Sequence, residues 1–234
     1  MVMITSKQNP SFKKWMKLKT KKHRDAYDEF LVYGEHLVAA AEKHGALVER
    51  ITTDEHRPGT RIALELMEAL KQTETTPAVM AVCRKVQTPK QTTRILALDG
   101  VQDPDNVGAL LRSASAFGFL HVILSPKTAD LYNEKVIRAS QGALFDLYVE
   151  RGPLEERLVL FRRDGYQIVY ADAHGGDQPD RNRPLVLIMG NEGRGVSERI
   201  RRIADSAIRI ETKRVESLNV SVAGGIIMHQ WRVL

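Results

Sequence analysis

The sequence predicts an α/β protein in which a small amino-terminal α/β domain (residues 1–92) precedes a larger parallel-sheet domain (residues 93–234). Beyond residue 93, short apolar runs alternate with amphipathic helical patterns, which is typical of a parallel sheet with helices on both faces. Residues from about 84 to 92 are polar and contain Pro89, as expected of a linker. The 234 residues, 43% of them hydrophobic, are enough to bury cores of this size.

The amino-terminal domain is predicted to begin with a helix. Asn9 and Pro10 are typical of a helix N-cap and first helical position, and Phe12, Trp15 and Met16 follow at helical spacing. The other predicted elements are strands at residues 30–33, 47–52 and 78–83 and helices at residues 35–44 and 60–70.

In the second domain, strands and helices are predicted to alternate. The strands are at residues 95–98, 121–124, 166–171, 185–189 and 207–210, and the helices at residues 107–117, 134–141, 154–163, 197–203 and 218–231. Sheets of this kind bind ligands beyond the carboxyl ends of their strands. Functional residues are therefore expected in the segments that follow the strands.

Positive charge is concentrated at the amino terminus. The net charge is +6, yet residues 1–24 carry eight lysines and arginines and no acid, so the rest of the chain sums to −2. One basic block on a near-neutral body is the pattern expected of a protein that binds a polyanion such as RNA. A solvated helix face, or an anchor for acidic lipid, is the alternative. The candidate RNA-binding residues are Lys13, Lys14, Lys17, Lys21, Lys22 and Arg24.

Several classes of protein are disfavoured. No apolar run approaches the roughly 18 residues of a membrane span, and the first residues lack the features of a secretory signal. The single cysteine, Cys83, lies in a predicted buried strand, which favours an inert thiol and a cytoplasmic location. The seven histidines form no ligand pattern, so no metal is assigned.

Two segments follow predicted strands as loops. In residues 99–112, Asn106 is placed to cap a helix and Arg112 lies six residues further on; such a cap taken alone is structural. In residues 187–197, three glycines after a buried strand permit either a sharp turn or close approach of a ligand to the backbone. Glu192 within that loop disfavours a phosphate and allows a cationic or hydroxyl-bearing ligand, such as a sulfonium attached to adenosine.

The third segment, residues 215–228, leads into the last helix. Ser217 is predicted to be its N-cap. A glycine within a helix costs about 1 kcal/mol relative to alanine. Gly224 and Gly225 therefore indicate that another backbone packs closely there, within the fold or across a dimer.

Together these three segments closely resemble the motifs of the SpoU (TrmH) family in the SPOUT methyltransferase superfamily. The resemblance rests on Asn106, Gly108 and Arg112, on the Gly-Asn-Glu-Gly-x-Gly loop at residues 190–195, and on Glu-Ser-Leu-Asn-Val-Ser at residues 216–221. The first 90 residues also resemble the RNA-binding extension of that family. One departure is that residues 210–215 lack the Pro, Met and Gly that family members usually carry before the third motif, so that wall of the pocket is expected to differ from the family's.

The resemblance implies methyl transfer from S-adenosylmethionine to a ribose 2′-hydroxyl of RNA. It also implies a carboxyl-terminal trefoil knot that forms the cofactor pocket, and a homodimer with the active site near the subunit contact. The implied cofactor-binding residues are Gly190, Asn191, Gly193, Ile210, Leu218 and Val220, and the implied catalytic residues are Asn106, Arg112, Glu192, Ser217 and Asn219.

The amino-terminal extension favours ribosomal RNA over transfer RNA as the substrate. A transfer RNA 2′-O-methyltransferase, a resistance-type ribosomal methyltransferase and a non-catalytic RNA-binding or ribosome-assembly protein are the alternatives. A base methyltransferase of the same superfamily would not be expected to carry Asn-x-Gly-x-x-x-Arg. The sequence does not name the nucleotide.

Overall fold

The first part of the chain builds one small sheet. In the computed structural model, which describes residues 3–232, its elements are α1 (Pro10–Lys17), α2 (Lys21–Tyr27), β1 (Glu29–Tyr33), α3 (Glu35–Lys43), β2 (Leu47–Thr52), β3 (Thr60–Arg61), α4 (Leu64–Leu70) and β4 (Val79–Arg84). The strand order is β1-β4-β2-β3, and β4 pairs antiparallel with both β1 and β2. Helix α1 begins as predicted, since Asn9 Oδ1 accepts hydrogen bonds from the backbone N–H groups of Ser11 and Phe12.

The second part builds a six-stranded sheet. Its elements are β5 (Arg94–Asp99), α5 (Pro104–Ala116), β6 (His121–Leu124), α6 (Glu134–Ser140), a 3₁₀ turn (Ala143–Phe145), β7 (Tyr148–Arg151), α7 (Leu154–Arg163), β8 (Gln167–Ala171), β9 (Leu185–Gly190), α8 (Glu198–Ile203), β10 (Ser206–Ile208) and α9 (Val220–Gln230). The strand order is β10-β8-β9-β5-β6-β7, and every neighbouring pair is parallel. The prediction of an α/β fold with a parallel sheet is confirmed.

The main differences from the prediction concern the segment at residues 60–70, helix α2 and strand β7. The helix predicted at residues 60–70 begins only at Leu64, because Thr60 and Arg61 pair with β2 as the short strand β3. Helix α2 was not predicted, since its charged sequence shows no apolar face. Strand β7 was also missed, because this edge strand alternates half-buried, buried and exposed residues over only four positions.

Two predicted helix caps are wrong. Helix α5 begins at Pro104, and Asp103 caps it by accepting from the backbone N–H of Asp105; Asn106 lies inside the first turn. Helix α9 begins at Val220, and its cap is Asn219, whereas Ser217 lies exposed two residues earlier. In both cases the capping side chain is an Asp or Asn whose oxygen reaches the helix N–H groups.

The two glycines of α9 have different environments. A Cβ at Gly224 would lie 2.3 Å from Leu110 Cδ2, so close packing of α9 on α5 within the fold explains this glycine. A Cβ at Gly225 would meet only Ser113 Oγ, at 3.4 Å. Close packing within the fold, one of the two predicted explanations, therefore accounts for Gly224. The neighbouring group is the Leu110 side chain and not the backbone that was predicted.

The structure agrees with the prediction that Cys83 is an inert thiol in a buried strand. Its thiol is buried in β4, and burial raises its pKa to about 12, so the nucleophilic thiolate is suppressed. Within residues 3–232, no helix is long and apolar enough to cross a membrane.

Candidate active site

The candidate site lies beside β5, the strand from which the sheet is extended first to one side and then to the other. From β5 the chain continues outward through β6 and β7, whereas β8 and β9 lie on the other side of β5. The last residues of β5 and β9, Asp99 and Gly190, are neighbours in register. The turns that follow these two strands therefore face each other at the carboxyl edge, where open α/β sheets bind ligands.

Asn191 organises the glycine loop. Its backbone exchanges two hydrogen bonds with Gly195, at 3.0 and 2.8 Å. Its side-chain Oδ1 accepts from the N–H groups of Gly193 and Arg194, both at 3.1 Å. Its Nδ2 donates to the carbonyl of Gly100 at 2.9 Å, which ties the loop to the turn after β5. The loop is therefore held in shape by its own chain.

Gly190 is required by the loop itself. A Cβ there would lie 2.2 Å from both Gly195 C and Val196 N, which no adjustment of a side chain could relieve. The sequence allowed either a sharp turn or close approach of a ligand at this glycine, and these contacts are explained by the sharp turn. Gly193 differs, since a Cβ there would meet only Asn191 Oδ1, at 3.8 Å. Open space therefore adjoins the backbone at Gly193.

The Glu192 carboxylate accepts hydrogen bonds from the opposite turn. Oε2 lies 3.2 Å from Gln102 N, and Oε1 lies 3.1 Å from Asp103 N and 3.2 Å from Asn106 Nδ2. Burial raises the pKa of Glu192, but these donors, together with the residue's own N–H, outweigh it and hold the pKa below its ordinary value. Glu192 is therefore an ionised group that fixes the start of α5.

Asn219 joins this arrangement from the third motif. Its Nδ2 donates to Asn106 Oδ1 at 3.0 Å, while its Oδ1 accepts from the N–H groups of Ser221 and Val222 at 2.8 and 3.3 Å. The buried side chain of Asn106 thus donates to Glu192 and accepts from Asn219. The structure brings together one polar residue from each predicted motif.

Two predicted catalytic residues stand apart from this network. Arg112 is exposed on α5, and six residues of helix turn its side chain roughly 120° away from Asn106. Ser217 is exposed in the segment before α9. Within residues 3–232, neither side chain makes a hydrogen bond to Asn106, Glu192 or Asn219.

The predicted apolar cofactor residues border the same edge. Ile210, Leu218 and Val220 are half-buried, and Ile210 and Val220 pack against the core cluster that includes Met189 at the end of β9. Residues 211–217 between them are exposed. The atypical segment is therefore an open loop flanked by apolar anchors.

The predicted RNA-binding lysines are not equivalent. Lys13, Lys17 and Lys22 are exposed. Lys14 forms an ion pair with Glu29 at 2.6 Å, and Lys21 pairs with Asp25. Among the six candidate residues, Lys13, Lys17 and Lys22 are therefore the ones without an ion pair in the described part of the chain.

Arg24 is a correction to the prediction. It is only 7% exposed, and its guanidinium lies 2.6 Å from Asp130 Oδ2 in the second part of the chain. An arginine buried in this way has no access to an RNA phosphate. A sequence pattern of charge cannot separate an inward from an outward cation, which is why Arg24 was grouped with its neighbours.

Sequence reasoning missed the partners that hold the loops. Asp99 Oδ2 accepts from the N–H of Ser197 at 2.7 Å, and the N–H groups of Gln102 and Asp103 hold Glu192. Asp99 carried a usable signal, since it directly follows a predicted strand. The backbone donors carried none. Among residues 3–232, no group of three His, Cys, Asp or Glu side chains could hold a metal ion.

Comparison with known families identifies the chain. The model of the SpoU rRNA methylase family matches residues 93–229. This protein belongs to the SpoU rRNA methylase family. A second model, the MRM3-like substrate binding domain, matches residues 9–93. The family predicted from the three motifs is therefore confirmed.

Full-length relatives support the same assignment. The chain is 34% identical over 251 residues to the 23S rRNA (guanosine(2553)-2′-O)-methyltransferase RlmP of Bacillus subtilis, covering 99% of this chain and 100% of the relative. The structure of the SpoU methyltransferase AviRb from Streptomyces viridochromogenes with AdoMet aligns with a TM-score of 0.83 at 27% identity, covering 96% of this chain and 97% of that one. An AdoMet-bound rRNA methyltransferase from Sinorhizobium meliloti aligns with a TM-score of 0.86 at 27% identity, covering 98% and 97%.

Proposed function

We propose that this protein transfers a methyl group from S-adenosylmethionine to a ribose 2′-hydroxyl of ribosomal RNA. The observation that carries the proposal is the hydrogen-bonded series Glu192–Asn106–Asn219, which joins the three family motifs at the carboxyl edge of β5 and β9. The enzyme class and the cofactor follow from membership of the family. Ribosomal RNA as the substrate is supported by the activity of the full-length Bacillus subtilis relative.

The residues at this edge suit a sulfonium-bearing nucleoside. Glu192 is ionised. The N–H groups that donate to it are neutral, so they do not cancel its negative charge, and the carboxylate can attract a cationic ligand. Half-buried apolar side chains offer a surface for adenine, and the backbone at Gly193 has open space beside it. When bound, S-adenosylmethionine supplies an electrophilic methyl group. The residues that would hold it are Gly190, Asn191, Gly193, Ile210, Leu218 and Val220.

On attack, the ribose oxygen would bond to the methyl carbon as its S–C bond breaks, leaving a neutral thioether on the cofactor, and the hydroxyl proton would pass to solvent water. A protonated arginine is a poor general base, so we assign Arg112 to clamping an RNA phosphate and stabilising the developing oxyanion. Asn106 orients this region, because both polar atoms of its side chain are engaged within the network. Ser217 and Asn219 line the reaction centre in this proposal, with Asn219 also holding the start of α9.

Arg112 faces away from Asn106 within one subunit, which supports a site that a second copy completes. A groove of about 460 Å³ between α5 and α9 is lined by Phe117, Val222, Gly225 and Ile226, among others. Val222 is 51% exposed there, and an apolar surface of this kind is suited to a subunit contact. A homodimer through α5 and α9 is therefore part of the proposal.

The trefoil knot belongs to the same proposal. After β10 at one edge of the sheet, the chain returns as α9 to pack on α5 and β9 in the middle. That return brings Asn219 onto Asn106, which in turn donates to Glu192 of the glycine loop, and this course supports a knotted cofactor pocket. The same proposal places the enzyme in the cytoplasm, where ribosomal RNA is modified.

The decisive experiment combines purified protein, methyl-labelled S-adenosylmethionine and unmodified RNA. Ribosomal RNA and transfer RNA transcripts are offered separately, and the products are digested and analysed for 2′-O-methylnucleosides. Label in a 2′-O-methylnucleoside of ribosomal RNA is the expected result. Label only in transfer RNA would reassign the substrate, label in a base would reassign the chemistry, and no transfer with cofactor bound would favour a non-catalytic RNA-binding protein.

A further inference from the structure

Arg24 connects the two parts of the chain. Its guanidinium donates to the carbonyls of Leu18 and Lys19 at 3.2 and 3.0 Å, in the turn between α1 and α2. The same guanidinium donates to Asp130 Oδ2 at 2.6 Å. One buried side chain thus links the helices that carry the exposed lysines to the loop that follows β6.

That loop, residues 125–130, is anchored directly on the candidate site. Ser125 Oγ and Thr128 Oγ1 accept from the N–H of Gly100 at 2.9 and 3.2 Å. The N–H of Ala129 donates to the carbonyl of Val101 at 3.0 Å. This turn leads directly to Gln102 and Asp103, whose N–H groups donate to the Glu192 carboxylate. The loop therefore touches the site at one end and Arg24 at the other.

Arg151 prevents this loop from moving independently. From the end of β7 it donates to the carbonyls of Ser125, Thr128 and Ala129 at 2.9, 2.7 and 2.5 Å. Three carbonyls fixed by one planar guanidinium define the shape of the segment. A shift of Asp130 would consequently displace the turn after β5 as well.

The surrounding contacts also exclude a free hinge. Phe30 of β1 lies 4.6 Å from the ring centre of Tyr132 and shares an apolar cluster with Ile137 and Leu144. Gln87 Oε1, in the segment between the two sheets, accepts from Val149 N of β7 at 2.6 Å. A shared apolar core and hydrogen bonds on both sides hold the two sheets as one unit.

We propose that Arg24 and Asp130 are positioning residues that set the register between RNA bound on the α1 lysines and the methyl-transfer site, and so select which ribose is methylated. The inference rests on the proposed function. RNA held at a fixed distance from the site presents one ribose to it. If the pair is broken, a buried charge loses its partner and the turn between α1 and α2 is no longer fixed on the loop. Binding of the RNA then persists while delivery of the ribose fails.

The test uses the full-length protein and unmodified large-subunit ribosomal RNA transcribed in vitro. Asp130→Asn is isosteric and removes the charge, and Arg24→Met keeps the length of the side chain. Each variant is expected to bind S-adenosylmethionine as the wild type does, while kcat/KM for RNA falls about 10- to 100-fold, since a misplacement of about 1 Å can cost about 100-fold. The fall is expected mainly in kcat, and the map of 2′-O-methylation is expected to spread to neighbouring riboses.

The matched control is another ion pair of the amino-terminal part. Arg50 and Glu42 lie 2.7 Å apart, away from the loop, so Arg50→Met and Glu42→Gln should leave the methylation map unchanged. The double variant Arg24→Met/Asp130→Asn should be no worse than Arg24→Met alone, because Asp130 acts through its contact with Arg24. Should Asp130→Asn fail to fold, Arg24→Lys retains the charge but loses the fork that reaches the loop and both carbonyls.

The two proposals fail separately. A wild-type protein that methylates no ribose would refute the proposed function. A wild type that methylates one ribose, with Asp130→Asn and Arg24→Lys keeping the same map and the same kcat, would overturn the inference alone.

Discussion

Asn106 Oδ1 and Asn219 Nδ2 lie 3.0 Å apart, although 113 residues separate them along the chain. Because the amide nitrogen of Asn106 donates to Glu192, its oxygen is the atom that accepts from Asn219, and this fixes the orientation of both amides. The remaining oxygen of Asn219 then faces the N–H groups of α9. The start of α9 is thus linked, through the two asparagines, to the ionised carboxylate of Glu192.

The first prediction concerns pH. The folded-state pKa of Glu192 lies below its ordinary value, so its stabilising effect is present above the unfolded value of about 4.3 and is lost as the pH falls through the folded pKa. Melting curves of the wild type and Glu192→Gln should differ most above that pH and converge in more acidic buffer. A difference that grows on acidification would contradict this sign.

The second prediction concerns the glycine loop. Gly190→Ala places a methyl group 2.2 Å from backbone atoms of Gly195 and Val196, so the loop must open. We expect calorimetry to show loss of most of the affinity for S-adenosylmethionine. Gly152→Ala is the control, because a Cβ there meets nothing within 4 Å. Unchanged affinity in Gly190→Ala would place the pocket elsewhere.

The third prediction separates binding from chemistry at Arg112. Its side chain is exposed and outside the Asn106 network, so Arg112→Ala should bind the cofactor normally. Single-turnover methyl transfer should fall at least about 100-fold, as for loss of one preorganised donor. Arg112→Lys should keep part of the activity if the residue is a phosphate clamp, and none if a guanidinium base is required. Wild-type rates in Arg112→Ala would remove the residue from the mechanism.

The fourth prediction uses the unequal lysines of α1. Lys13 and Lys17 are exposed, so replacing each by Gln should lower the slope of log affinity for RNA against log salt by about 0.7–0.9. Lys14→Gln should change it less, because Lys14 already pairs with Glu29. Filter binding over a range of salt concentrations measures all three slopes. If every variant keeps the slope of the wild type, the basic block is a solvated helix face and not an RNA contact.

The fifth prediction distinguishes the two glycines of α9. Gly225→Leu fills the groove between α5 and α9 and should weaken subunit association in light scattering while the monomer stays folded. Gly224→Ala should instead destabilise the fold itself, since its methyl group would clash with Leu110. A monomeric, active wild type would disprove the dimer.

Local patterns were enough to predict most of the fold. The alternation of apolar runs and helical patterns gave the six parallel strands apart from β7, and Asn9 marked the start of α1 through a contact only two residues away. Helix α2 and strand β7 escaped because neither has an apolar periodicity of its own. Their structure depends on neighbours that are distant along the chain.

The sequence by itself determined the family and the three motif segments, because spacing and residue type are local properties of the chain. Only the tertiary structure decided what each side chain does: that Arg24 faces Asp130 instead of solvent, and that Gly190 serves its own loop. It also decided that Glu192 holds the turn after β5 through backbone N–H groups. Charge, burial and hydrogen bonding are set by groups that meet only when strands distant in sequence lie side by side.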